Sequence, residues 1–125
     1  MKRILLAEDE EVLRMLVVDT LEDQDYYTVD EAIDGGEAWD LIQSNHYDLI
    51  ILDYMMPIYT GLEIIEKIRN VENKNEYTKI LMLSAKSQMY EQERILQAGA
   101  DYFMAKPFSP MELLGLVVGI LHENS

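Results

Sequence analysis

The sequence predicts an α/β fold, a three-layer (βα)5 sandwich around a parallel sheet, and three observations carry the prediction. Apolar runs of strand length recur at five places, most of them too continuously apolar for strands with one wet face. Stretches with helical spacing separate them, so strand and helix alternate, which implies right-handed crossovers and a sheet covered on both faces. The chain has 125 residues, 49% of them hydrophobic, the size of one domain built on a single buried core. One domain over residues 1–125 is expected.

Taken in order, the first strand is Arg3–Ala7, followed by a helix whose apolar residues are Val12, Leu13, Leu16, Val17 and Leu21. The second strand is Tyr27–Glu31, and beyond the Gly35-Gly36 turn a helix places Ala38, Leu41 and Ile42 on one face. Leu49–Leu52 is the third strand, and the helix after Thr60-Gly61 carries Leu62, Ile65 and Ile68. Ile80–Leu83 is the fourth strand; Ile95 and Leu96 mark a helix that Ala98-Gly99 ends. Tyr102–Ala105 is the fifth strand. The last helix runs from Ser109 to about His122, and its start is signalled by an N-cap serine, Pro110 in the first turn and Glu112 as the returning carboxylate of a capping box.

Charge and composition remove several function classes. Twenty-four acidic against 10 basic side chains give a net charge of −14, which repels nucleic-acid phosphates and anionic lipid heads, so no nucleic-acid binding by this domain is expected. Cysteine is absent, which excludes disulfides, thiolate metal sites and a cysteine nucleophile. The apolar run after Met1-Lys2-Arg3 is interrupted by Glu8 and Asp9, too short for a signal peptide or a membrane span. A cytoplasmic location and no membrane contact are expected.

In an open parallel sheet ligands bind beyond the carboxyl ends of the strands, where connections diverge. Glu8 and Asp9 follow the first strand, Asp53 follows the third, Ser84 the fourth and Lys106 the fifth, so four strand ends deliver polar groups to one edge. Singly, each has a bland reading: a helix cap, a strand terminator, a loop hydroxyl, a solvated amine. Together they imply a site. Three carboxylates close to one another repel, and a divalent cation keeps them ionised. Oxygen-only ligands favour Mg²⁺, with Mn²⁺ as its substitute, over zinc or copper. An aspartate can act as a nucleophile toward phosphorus, and the transfer needs positioning and charge compensation more than covalent help. In that chemistry the cation and Lys106 flank the phosphoryl group, and Ser84 donates a hydrogen bond to it.

These residues, in this order and spacing, resemble the receiver domain of two-component response regulators from Lys2 to about Leu121. The resemblance is carried by Leu6-Ala7-Glu8-Asp9, by Asp53-Tyr54-Met55-Met56-Pro57 followed by Gly61, by Ser84-Ala85 and by Lys106-Pro107-Phe108. It implies a flavodoxin-like sheet in the order 2-1-3-4-5. It also implies a phosphorylation-dependent switch in a phosphorelay, with a sensor histidine kinase or phosphotransfer protein as donor to Asp53 and a downstream protein target or output domain as receiver of the signal. Not a conventional enzyme, such a domain catalyses its own phosphorylation and dephosphorylation. By the same resemblance Asp9, Asp53 and the Met55 backbone carbonyl ligate the metal, Glu8 acts through water, and the Lys106-Pro107 peptide is cis. Ser84 and Phe103 move on phosphorylation and remodel the face of the fourth helix, fifth strand and fifth helix. Met55 and Lys86 stand at the two positions that influence phosphate lifetime; Met55 offers no hydrogen bond to an attacking water, so slow self-dephosphorylation is expected.

The chain departs from the family pattern in places. Ser84 stands where threonine is common, Glu8 is one methylene longer than the frequent aspartate, and Thr60 replaces an aspartate yet can still cap the third helix. Ile58 and Tyr59 put apolar side chains beside the site, to pack on the next helix or to meet the kinase. On the fifth helix Leu113, Leu114, Leu116, Val117, Val118, Ile120 and Leu121 spread over roughly 200° of its circumference. With Gly115 and Gly119 spaced for close helix approach, Leu116 and Val118 suggest an apolar partner surface or a homodimer through this helix rather than the usual salt-bridged dimer. The alternative function is a receiver-like interaction module that acts without phosphorylation.

Overall fold

β1 (Lys2–Ala7), β2 (Tyr27–Ala32), β3 (Leu49–Asp53), β4 (Lys79–Ala85) and β5 (Tyr102–Lys106) pair in parallel in the order β2-β1-β3-β4-β5. This is the sheet order that the family resemblance implies. The computed structural model describes residues 1–122, apart from the side chain of Lys86. Helices α1 (Glu11–Glu22), α2 (Gly35–Ser44), α3 (Gly61–Asn70), α4 (Gln92–Ala98) and α5 (Pro110–His122) cover the sheet, and a 3₁₀ helix, Lys86–Glu91, precedes α4.

Two cores lie on opposite faces, and side-chain alternation along each central strand sorts residues between them. Ile50 and Leu52 of β3 join Leu5, Ile80 and Met82 under α2, α3 and α4, where Ile42, Ile64, Ile65, Ile68 and Ile95 close over them. Leu49 and Ile51 join Ile4, Leu6, Leu81 and Leu83 under α1 and α5, where Val17, Leu21, Leu113, Val117 and Ile120 pack. β3 is buried along its whole length, as its uninterrupted apolar sequence predicts. The edge strand β5 is half-exposed along its length, and β2 ranges from buried to exposed, its sequence mixing polar residues among the apolar ones.

The helix boundaries follow capping chemistry. The Ser109 hydroxyl accepts from the Glu112 N–H at 3.0 Å, and the Glu112 carboxylate accepts from the Ser109 N–H at 3.2 Å, the reciprocal box that the sequence predicts. Thr60 and Glu63 build the same box at α3, at 2.9 and 3.2 Å. The Lys106-Pro107 peptide is cis.

Two apolar faces differ from the expectation. On α1 the buried residues are Val17, Val18 and Leu21, whereas Val12 and Leu16 face solvent. The inward stripe is turned by one position because Arg14 occupies one of its turns and sends its guanidinium to the Glu8 carbonyl at 2.8 Å. Leu96 on α4 is likewise exposed, while Ile95 is buried. On α5, Leu113, Leu114, Val117, Ile120 and Leu121 are buried and Leu116 packs partly on the same core. The helix contacts both the sheet and α1, so its wide apolar arc is largely consumed by two packing faces. Val118, 38% exposed, and Met111, 70% exposed, remain outside, and among the described residues nothing lies within 4 Å of where a Gly115 Cβ would stand.

Candidate active site

β1 and β3 are neighbours whose connections leave for opposite faces of the sheet, which places a crevice at their carboxyl ends. Glu8 and Asp9 leave β1 there, and Asp53 ends β3. Glu8, Asp9 and Asp53 each offer one carboxylate oxygen, and these three oxygens lie within 4.8 Å of one another. Lys106, at the end of β5, reaches across β4 to the same point, with Nζ 2.7 Å from Glu8 Oε1 and 2.9 Å from Asp53 Oδ1. One ammonium therefore serves two carboxylates while Asp9 stands exposed at the rim.

Burial sets the electrostatics. Glu8 is 1% exposed and Asp53 6%, so ionised carboxylates here have lost most of their hydration. Desolvation pushes the Asp53 carboxyl up to about 7; the Lys106 hydrogen bond pulls against it, and the charges of Glu8 and Asp9 add to the rise. Burial alone would lower the Lys106 ammonium, yet its hydrogen bonds to Glu8 and Asp53 outweigh that and hold it above its ordinary value. Glu8 is also tied from behind, its Oε2 accepting from the Glu10 N–H at 3.1 Å. The resemblance gives Glu8 a water-mediated role at the metal; in addition its carboxylate meets Lys106 directly.

The loop after β3 is anchored against α3. The Tyr54 N–H donates to the Leu83 carbonyl at 2.8 Å, and the Gly61 N–H donates to the Tyr54 carbonyl at 2.9 Å. A Cβ on Gly61 would stand 2.5 Å from the Asp53 carbonyl oxygen, so only glycine lets α3 start this close to the site. Between these anchors Met55 is exposed beside the carboxylates, and Ile58 is exposed with φ at +74°, a left-handed conformation that β-branched residues rarely adopt. Tyr59 packs on the α2–α3 core with its ring 4.5 Å from Lys67 Nζ, so of the two apolar loop residues one packs and the other is presented to solvent.

Ser84, the penultimate residue of β4, is fully buried on the strand face that Ile80 and Met82 turn toward α3 and α4. Its hydroxyl donates to Gln88 Oε1 at 2.9 Å, and the Ala85 N–H donates to the same oxygen at 3.1 Å. Gln88 is a site residue that sequence reasoning missed; the only signal was an amide side chain four positions after Ser84. Phe103 of β5 is partly buried against the α3–α4 core and pairs in register with Met82. The Lys86 side chain lies outside the described residues, and Leu116, Val118, Gly115 and Gly119 lie on α5, away from this constellation.

Comparisons with known proteins agree with this geometry. Residues 4–118 match the family model of the response regulator receiver domain. The chain is 40% identical over 125 residues to the response regulator ArlR of Staphylococcus aureus, an alignment covering 99% of this chain and 54% of that protein. It thus spans about half the length of the curated relatives it matches. Among solved structures, the receiver domain of the Francisella response regulator 1452 superimposes with a TM-score of 0.89 at 29% identity, covering 100% of both chains. The chemotaxis response regulator CheY4 of Vibrio cholerae gives 0.85 at 35% identity over 97% of this chain and 99% of that one. The receiver domain of the sensor histidine kinase PA1611 of Pseudomonas aeruginosa, which holds a magnesium ion in its active-site cleft, gives 0.84 at 30% identity over 96% and 97%. On sequence and on fold alike, the chain belongs to the family of response regulator receiver domains.

Proposed function

We propose that this receiver accepts a phosphoryl group on Asp53 from a histidine kinase or phosphotransfer protein, with Mg²⁺ as cofactor, and passes the signal through the α4-β5-α5 face to a protein target or output domain. The observation that carries the reading is the meeting of Glu8, Asp9, Asp53 and Lys106 at one crevice: three carboxylates with one oxygen of each within 4.8 Å of the others, and one cation bonded to two of them. That donor set fits a hard divalent cation, being all oxygen, incompletely neutralised and open at Asp9. Asp9, Asp53 and the Met55 carbonyl would hold the ion, with Glu8 beside them. Bound there, it would supply charge compensation to the transferring phosphoryl oxygens.

An Asp53 carboxylate oxygen attacks phosphorus while the bond from phosphorus to the donor's imidazole nitrogen breaks, and the imidazole leaves. Lys106 exchanges its contact with the Asp53 oxygen for one with a phosphoryl oxygen, remaining bonded to Glu8. The Ser84 hydroxyl then turns to a second phosphoryl oxygen, and Phe103 follows it inward, which biases the α4-β5-α5 face toward one of two arrangements. With a thioether at Met55 offering nothing to orient a hydrolytic water, the phosphorylated state is long-lived.

Incubation with Mg²⁺ and a small phosphodonor, followed by intact mass, tests the reading. The expected result is a gain of one phosphoryl group that is absent in Asp53→Ala and abolished by chelation. No gain in the unmodified protein overturns it, and leaves an interaction module that works without phosphorylation.

A further inference from the structure

Ser84 does not wait in the site with a free hydroxyl. It is fully buried, and its one donor is committed to Gln88 Oε1, which accepts the Ala85 N–H as well. A buried hydroxyl leaves its acceptor only for another acceptor, since the unpaired group bears the full desolvation penalty. Phosphoryl transfer to Asp53 creates such an acceptor one strand away.

Gln88 lies within the 3₁₀ helix Lys86–Glu91, a six-residue run of a conformation whose hydrogen bonds are poor and whose stretches are usually shorter. The Gln88 oxygen fastens the start of that run to Ser84 and to the Ala85 amide. Its other end carries Glu91; burial and the negative charge of Glu91 push the Tyr54 hydroxyl up, and Tyr54 directly follows Asp53. The segment that opens α4 is thus tied through Gln88 to Ser84, on the strand next to the one that ends in Asp53.

We propose that the Gln88 carboxamide is a latch on the resting state: it holds the Ser84 hydroxyl away from Asp53 and the 3₁₀ helix against β4, and a phosphoryl group on Asp53 releases both by outcompeting one hydrogen bond. Gln88 is a positioning residue, acting through Ser84. The proposal rests on the reading of Ser84 as the phosphoryl-binding hydroxyl. Its consequence is that the identity of residue 88 sets how readily the switch turns on, independently of the carboxylates and Lys106.

The test uses beryllofluoride with Mg²⁺ as a tetrahedral phosphoryl mimic, titrated into the wild type, Gln88→Ala and Gln88→Met, each also in a Ser84→Ala background. Loss of the latch should tighten beryllofluoride binding by about three- to tenfold, the span that the net worth of one hydrogen bond allows. The gain should vanish when Ser84 lacks its hydroxyl. Without any metal or mimic, hydrogen exchange at the Ala85 amide should be faster in both Gln88 variants, and their urea midpoints should fall by about what the loss of one or two buried hydrogen bonds implies, with folding retained. Unchanged affinity and unchanged Ala85 exchange, or an affinity gain that persists without the Ser84 hydroxyl, overturn the latch. Wild-type protein that takes up no beryllofluoride overturns the phosphoacceptor reading itself, and the latch with it.

Discussion

Asp53 is held where ionisation is opposed, and that has a measurable sign. Its carboxyl, ordinarily near 3.8, is pushed up to about 7 by burial and by Glu8 and Asp9 against the pull of Lys106. Between those two values the folded chain binds more protons at this residue than the unfolded chain, so stability falls as pH rises from about 4 to about 7. Asp53→Asn removes that loss. In metal-free buffer the variant should therefore be more stable than the wild type at pH 8, on the order of a few kcal/mol, with the gap closing toward pH 4. Urea titrations at several pH values measure it, and a wild type more stable than the variant at pH 8 contradicts the environment described. Ile58 poses a second, independent question at this scale. A β-branched residue at φ +74° is strained, and Ile58 is 70% exposed, so its side chain returns little by packing. Ile58→Gly relieves the strain but adds unfolded-state entropy, for a net gain of about 0.5–1 kcal/mol in unfolding free energy, read as a higher urea midpoint. The strain was not legible in the sequence, which displays Ile58 only as an apolar loop residue. The carboxylates, Ser84 and Lys106 were, because residue type and position after a strand are both visible in one dimension. Gln88 was not, since a glutamine in a helix has no distinguishing mark until its amide is seen on a buried hydroxyl.

At the scale of elements, the strands and caps could be read from sequence because each rests on local chemistry: continuous apolar runs, Ser109 with Glu112, Thr60 with Glu63. What could not be read was the angle at which each helix meets the sheet. Periodicity gave α1 a stripe through Val12 and Leu16, but Arg14 stands on the buried side, bridging the Glu8 carbonyl and the Glu31 carboxylate, so a cation interrupts the very stripe that periodicity seeks. The same blindness hid the polar knot at the opposite end of the sheet. Asn75, fully buried, accepts from the Tyr47 N–H at 2.7 Å and the Thr78 hydroxyl at 3.1 Å, and donates to the Ile42 and Asn45 carbonyls at 2.7 Å each. One side chain thereby joins the end of α2 to the entries of β3 and β4. Asn75→Ala orphans several of these buried groups at once and should cost about 2–4 kcal/mol in urea unfolding. Because the knot lies at the amino ends of the strands, phosphorylation by a small phosphodonor should be unchanged wherever the variant is folded. A stability loss below half a kcal/mol refutes the knot.

Over the whole molecule, 24 acidic side chains outweigh 10 basic ones. A net −14 on 125 residues repels itself in the compact state, and several of the basic side chains are already committed to pairs such as Arg3–Asp30, Arg69–Asp101 and Lys106 with its two carboxylates. Two kinds of cation should therefore stabilise the fold by different routes. Monovalent salt screens the diffuse repulsion within a Debye length of about 8–10 Å and should raise the melting temperature smoothly, with no saturation at low concentration. Magnesium at the same ionic strength should do more and then saturate, because a ligand that binds only the folded state adds RT ln(1 + [L]/Kd), about 2.7 kcal/mol at a hundredfold excess over Kd. For a chain of this size that corresponds to roughly 10 °C. Asp9 separates the two routes: it is exposed, so Asp9→Asn leaves the buried site intact, yet it removes one of the three converging carboxylates. In Asp9→Asn the monovalent response should persist while most of the magnesium increment disappears, and the wild-type increment should shrink as pH falls through about 7 and Asp53 takes up its proton against the ion. An equal magnesium increment in wild type and Asp9→Asn means that the ion stabilises by screening alone, and that the crevice between β1 and β3 does not gather it.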